Sequence, residues 1–558
     1  MYMMRVKHIL PILFFSLSMG LYAQHNEEVT IEGTYRPKVN QVDKILMKPE
    51  LPKQSFTLPE AKAKVNDIEH RFHLEMDKLS PLNYKGGKGS GEDIAKNFLM
   101  AGFGSRISPM FLYKHNSNLT KNLGLSVGIK HFSSWLGIKD YAPSSFMNNA
   151  FDLGLTSGKF NNLQLGGRVY YKNDMVHYYG VKLVDLPVPS SADQFAPRQT
   201  YNTIGASFDL ASANTRNGEF AHDLGLDYHY LFDQVYAGKE HFASIDYNLG
   251  YANNWWGSKG SPQKVGVALG ASFDKSYAGL ASDERLIFKV NPYFEMRDAF
   301  YRLHLGVRMD GVLLKPTDKL LTVHPDLKAS LLVLDNKLEF YAGLNGGRKL
   351  YTYSDLVEEN PFVRFQANME VATVKLGFEG GLRTNLMKTM DIHVGVRYRN
   401  IDNDLFYRQK INVETVGFPY NSFDVVYDET RQVSVLGNIR WLALDKMTVD
   451  AGVAYNKYNP AKEAHAWYRP AAEGNLKLDY QLDDALSMNA SFLYQGGRWA
   501  QNVKLPDVYD LGFGVDYKLQ DQFTVFVKAD NLLNRKYQLF LDYPVTGIEF
   551  FAGLKMAF

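Results

Sequence analysis

The chain has 558 residues, 45% hydrophobic and 14% aromatic, with 35 Tyr, 35 Phe and 6 Trp. Lys plus Arg number 62 against 60 Asp plus Glu, a net charge of +2 that gives no basic field for nucleic acid. The absence of cysteine excludes disulfides, thiolate metal sites, a cysteine nucleophile and an N-terminal lipid anchor on Cys.

Residues 1–23 read as a secretory signal peptide. Arg5 and Lys7 supply the positive start, Ile9 to Leu17 form a short apolar core, and Leu21-Tyr22-Ala23 ends in the small residue that a signal peptidase needs. Gln24 is therefore the expected mature start. The apolar core is too short for a spanning anchor.

Residues 24–96 form a periplasmic arm or vestigial plug segment. A short strand-like run covers residues 27–33, and Pro37, Pro49, Pro52 and Pro59 then break regular structure. Val65, Ile68, Phe72, Met76 and Leu79 fall near one face of a predicted helix over 61–79. Residues 85–91 make a Gly-rich flexible linker.

From Asn97 to Phe558 the chain becomes a series of alternating runs. Strands are predicted near 97–104, 108–116, 122–134, 146–158, 162–178, 199–212, 219–232, 240–253, 263–276, 285–297 and 300–313. They continue near 320–333, 337–347, 367–382, 388–400, 431–443, 447–457, 471–482, 486–497, 507–519, 523–538 and 546–558. That makes about 22, most of them long enough for the roughly 9–11 residues of a tilted membrane-crossing strand. No stretch after residue 23 has the ~18 consecutive apolar residues of a spanning helix. The mean hydropathy of −0.27 suits a wall that shows only half of each strand to lipid.

The last strand shows the pattern best. Ile548, Phe550, Ala552, Leu554, Met556 and Phe558 are all apolar, while Glu549, Phe551, Gly553, Lys555 and Ala557 lie between them. Alternate side chains point to opposite faces. One face is thus fit for hydrocarbon and the other for water, as in a transmembrane β-barrel. A half-buried sheet of a globular protein alternates in the same way; the recurrence over so many strands decides between them. Phe523, Val525, Val527 and Ala529 against Thr524, Phe526, Lys528 and Asp530 repeat the pattern, as do Leu476, Leu478, Tyr480 and Leu482 against Asn475, Lys477, Asp479 and Gln481.

The connections alternate too. Short turns are expected at 335–336, 445–446, 483–484 and 520–522, and long loops at 179–198, 348–366, 401–430 and 458–470. Bacterial barrels have short periplasmic turns and long outer loops. With a periplasmic N-terminus, every long loop falls on the outer side. Tyr170, Tyr171, Tyr178, Tyr179, Trp255, Trp256, Tyr494 and Trp499 gather near strand ends and read as interfacial girdles. Such a barrel encloses a wide lumen, so an occluding element is expected: the arm, the long loops or a separate protein.

Chemistry is sparse. His222 and His229 differ by an odd number and would face opposite sides of a strand, and His70 with His73 lacks a third ligand. No phosphate loop or nucleophile elbow has its required context. The expectation is a protein that is not an enzyme and has no cofactor, metal site or catalytic residue.

Strand number and the N-terminal arm together resemble the TonB-dependent receptors of Gram-negative outer membranes. In residues 528–537, Asn531-Leu532, a following basic residue and Tyr537 are similar to that family's penultimate-strand signature. Phe558 resembles its terminal assembly signal. Glu28, Val29, Thr30 and Ile31 are similar to the short run that pairs with TonB. The resemblance implies multi-pass insertion in the outer membrane, a TonB partner and transport of a nutrient ligand. The family's folded plug is missing or much shortened in residues 24–96. Two alternatives follow: a plug-less barrel that is the scaffold subunit of an outer-membrane complex, with a lumen-filling or surface lipoprotein partner, or an open diffusion channel.

Overall fold

The computed structural model describes residues 95–158, 162–185, 195–212, 217–256, 262–314, 320–334, 337–387, 389–412 and 418–558. The leader, the arm with its helix and linker, Glu28 to Ile31, and the turn at 335–336 lie outside the described residues.

The first strands are β1 (Asn97–Gly104), β2 (Ser108–Thr120), β3 (Leu123–Ser134), β4 (Phe146–Ser157), β5 (Leu163–His177), β6 (Arg198–Ser212), β7 (Phe220–Asp233) and β8 (Lys239–Asn253). Next come β9 (Gln263–Ala278), β10 (Ala281–Arg297), β11 (Tyr301–Leu313), β12 (Leu321–Val333), β13 (Leu338–Leu350), β14 (Val371–Met387), β15 (Met390–Ile411) and β16 (Asn421–Leu444). The chain ends with β17 (Met447–Pro460), β18 (Ala472–Gln481), β19 (Leu486–Gly496), β20 (Trp499–Ala500), β21 (Val503–Lys504), β22 (Val508–Gln520), β23 (Phe523–Asp530), β24 (Gln538–Phe540), β25 (Tyr543–Pro544) and β26 (Glu549–Ala557).

Two short pairs, β20–β21 and β24–β25, stand apart within loops; the remaining strands make one 22-stranded sheet. Each strand pairs antiparallel with its sequence neighbour in that sheet, and β26 pairs with β1 from Phe98↔Ala557 to Gly104↔Phe551. The sheet is therefore a closed barrel, which leaves no edge.

Cross-strand rows show what makes the outer skin apolar. Val127, Leu153, Val169 and Ala206 are direct partners across β3–β6, and so are Ile129, Phe151, Tyr171 and Ile204. The second row is exposed, as a lipid-facing row must be. One register step towards the loop end, His131, Asn149, Asn173 and Asn202 replace the apolar side chains and hydrogen-bond one to the next. On β26 Phe550 and Leu554 are exposed on the skin, while Glu549 and Phe551 are buried inside.

Three expected boundaries move. β23 stops at Asp530 instead of continuing to 538, because Asn531 takes a left-handed φ of 48° and turns the chain. The long loop expected at 401–430 is largely strand: β15 and β16 continue as one ribbon, with a register shift between Ile401 and Asp404. The loop expected at 348–366 carries a short helix, Tyr353–Glu359, whose Thr352 and Asp355 form a capping box. The long loops all share one end of the barrel, as expected, yet that end also has two short connections, 105–107 and 279–280.

Candidate functional site

The long loops do not stand in solvent. They meet in one hydrophobic core over the barrel's loop end, containing Tyr178, Tyr201, Tyr353, Leu356, Phe362, Phe406, Phe423 and Tyr543. The β5–β6 and β15–β16 hairpins stand on opposite sides of the ring of strands. Even so, Asn421 Nδ2 donates to Gly180 O at 3.0 Å and to Leu541 O at 3.1 Å, so one side chain ties three loops together. Tyr543 OH donates back to Asn421 O at 2.6 Å. The loops thus form a lid that spans the mouth.

The 351–370 segment is the beam of this lid. Phe423 N donates to Phe362 O at 3.1 Å and Arg364 N to Phe423 O at 2.9 Å, which adds the segment to β16. Tyr201 OH donates to Pro361 O at 2.8 Å and Tyr178 OH to Val363 O at 3.3 Å, from the β5–β6 side. Burial of the lid tyrosines raises their pKa values, and Tyr236 is pushed up to about 12. Burial also pulls the Arg498 guanidinium down to about 10.

Below the lid the wall is polar and largely self-paired. Lys555 meets Asp516 at 2.7 Å and Lys528 meets Asp530 at 3.1 Å. Lys477 lies 3.9 Å from Asp479. His304 bridges Glu295 and Asp326 at 3.1 and 3.0 Å. Charges on this inner face are what the alternation of the strands requires of the side turned away from lipid.

Of the candidate residues, Glu28, Val29, Thr30 and Ile31 lie outside the described residues. Asn531 is fully buried at the start of the β23–β26 loop; its Nδ2 donates to Arg535 O at 2.7 Å and Thr546 O at 2.9 Å. Tyr537 is buried beside Val508 and Val545 and donates its hydroxyl to Asp510. Leu532 N donates to Leu511 O at 2.8 Å. Leu532 and Tyr537 pin the last loop to β22, and Asn531 ties that loop to itself. Phe558 lies apart at the other end, where its main chain closes against Asn97.

The girdle reading of the aromatics divides. Tyr171, Trp255 and Trp256 are exposed, as a girdle requires. Tyr178 and Tyr179 instead belong to the lid core, Tyr170 lies on the lumen side under Arg168, and Trp499 stacks on His465 within the loops. His222 and His229 go separate ways, to Tyr247 and to Glu240. Loops folded over the mouth were one of the three expected occluding elements; which residues build the lid was beyond sequence reasoning, because they come from loops far apart in the chain. Its one local signal is the unbroken apolar run Leu405-Phe406-Tyr407, buried on both faces.

No family model matches the chain, and no curated protein matches its sequence. Solved structures do. The ferric-catecholate import receptor Fiu of Escherichia coli K12 superposes with a TM-score of 0.59 at 11% identity, over 84% of this chain and 82% of that one. The siderophore receptor PirA of Acinetobacter baumannii gives 0.63 at 10% identity, over 83% and 80%. The copper transporter OprC gives 0.58 at 12% identity, over 84% of each chain. At such identities the likeness is one of fold: this chain is a closed 22-stranded antiparallel β-barrel of the kind that these receptors and this transporter have.

Proposed function

We propose that this protein moves a nutrient ligand across the outer membrane, and that the loop lid is the element a ligand must displace to reach the lumen. The observation that carries the reading is the lid itself: a folded, aromatic-cored cover over a polar, self-paired channel. An open diffusion pore has no use for such a cover. Siderophore receptors and a copper transporter share the barrel fold, which makes metal ions and their chelates the first ligands to try. In this reading residues 1–23 are removed on export, residues 24–96 reach into the periplasm, and Glu28 to Ile31 contact TonB.

The test is uptake by whole cells with and without the gene, using a labelled ferric catecholate and copper, before and after an uncoupler. Uptake that needs the gene, membrane energy and residues 28–31 supports the reading. Uptake equal in both strains across a nutrient panel overturns it.

The scaffold reading has one observation of its own. A mouth spanned by a continuous hydrophobic core is a rigid platform for a surface partner. Purification from native membranes with a stoichiometric envelope protein, together with no uptake phenotype, would establish it instead.

A further inference from the structure

We propose that the 351–370 segment is a strap latched to the inner wall of β7–β10, and that release from Glu240 and Asp283 is what opens the lid. The proposal concerns closure alone and holds whichever ligand passes beneath.

Both ends of the strap are pinned. At its start, Arg285 Nη1 donates to Tyr351 O at 2.8 Å. The main-chain N–H groups of Tyr353 and Ser354 both donate to the Glu240 carboxylate, the second at 3.1 Å. Tyr353 OH donates to Asp233 Oδ2 at 3.1 Å. At its end, Met369 N donates to Asp283 Oδ2 at 3.1 Å. The seat is one row of the wall, because Glu240, Ser276 and Asp283 are direct cross-strand partners. Hydrogen bonds to a carboxylate are the strong kind, and burial shields these from competing water.

The seat fits the strap closely: a Cβ at Gly238, on the β7–β8 turn, would come within 2.8 Å of Phe365 and 3.2 Å of Tyr353.

Because the chain has no cysteine, one introduced thiol reports on the lid. Val357 is buried in the strap helix, and Val357→Cys adds a small apolar thiol there. Whole cells carrying V357C alone, or with E240Q and D283N, are treated with a membrane-impermeant maleimide. The expected result is slow labelling of V357C and labelling roughly ten- to a hundredfold faster with the latch broken, with the barrel's heat-modifiable gel mobility retained. An equal rate in both, fast or slow, overturns the proposal. Should the triple variant lose its gel shift, E240Q alone in the V357C background decides: faster labelling supports the latch, and an unchanged rate overturns it.

Discussion

The ring of Phe362 lies on that of Tyr543, with centroids 3.7 Å apart and planes 19° apart. One ring comes from the β13–β14 segment and the other from the last loop of the chain, so their contact joins two loops that share no strand. Phe362 is buried and also packs edge-on against Tyr178 and Tyr179. Phe362→Ala removes all of these contacts and leaves a cavity. The expected cost is about 3–5 kcal/mol of lid stability. Hydrogen exchange of the 353–363 amides should accelerate, while the gel mobility of the folded barrel stays unchanged, because the strand ladder does not depend on the lid.

Gly180 is where the β5–β6 loop passes under Tyr543. A Cβ there would lie 2.3 Å from the tyrosine ring and 2.7 Å from Asn421 Nδ2. Neither neighbour is free to give way, since the ring is stacked and the amide ties three loops. Gly180→Ala is therefore expected to loosen the lid by about 1–3 kcal/mol. Protease sensitivity of intact cells at the 351–370 segment measures it. Wild-type resistance would mean that the ring has room to retreat.

Tyr178, Tyr353 and Tyr543 give the lid an alkaline limit. Burial pushes each hydroxyl well above the usual 10.0, and neighbouring tyrosines add to the effect. The folded lid holds these protons where the opened chain would release them. Lid stability is thus fully present below about pH 10 and falls as pH rises from there towards the folded-state values. Phenolate absorbance should show a set of tyrosines that ionise late, together with protease cleavage of the lid. Complete ionisation near pH 10 with the lid still resistant would contradict the assignment.

The barrel could be read from the sequence because a strand facing lipid on one side and water on the other writes period-2 alternation locally. Val449, Ala451, Val453 and Tyr455 show it without help from any distant residue. The lid could not be read so. Phe423, Tyr178 and Tyr543 are buried by one another across hundreds of residues, and nothing near any of them encodes the partner. Alternation did not single out Glu240, the first residue of a predicted strand, or Asp283, which precedes the strand expected near 285–297. That they hold main-chain N–H groups of the strap depends on how the loop folds back, which local pattern does not carry. The β15–β16 ribbon hid for a related reason: with both faces covered at Phe406 and Tyr407, it loses the alternation that marks a strand.

Asn531 supports the last loop in two ways. Its side chain binds two carbonyls and accepts from Arg535 N at 3.0 Å, and its backbone holds a left-handed φ of 48°. Asn531→Ala loses all three bonds and keeps the strained backbone, at a cost of about 2–4 kcal/mol. Asn531→Gly relieves the backbone and should be the milder of the two. Thermal loss of the heat-modifiable form gives the ranking, and equal effects would assign the whole role to the side chain.

Phe558 separates closure from recognition. Its main-chain N donates to Asn97 O at 3.0 Å, and its carbonyl accepts from Asn97 N at 2.8 Å. The ring makes neither bond and is 45% exposed. Phe558→Ala therefore keeps the seam, and its effect on the stability of the finished barrel should lie within about 0.5 kcal/mol. If the terminal ring is a signal for the assembly machinery, the same substitution should sharply reduce the amount of folded barrel in cells, with refolding of purified protein in detergent unimpaired. Deleting Phe558 removes the seam bonds as well and should lower both. A substitution that harms refolding and cellular assembly alike would place the ring in the structure of the seam and not in its recognition.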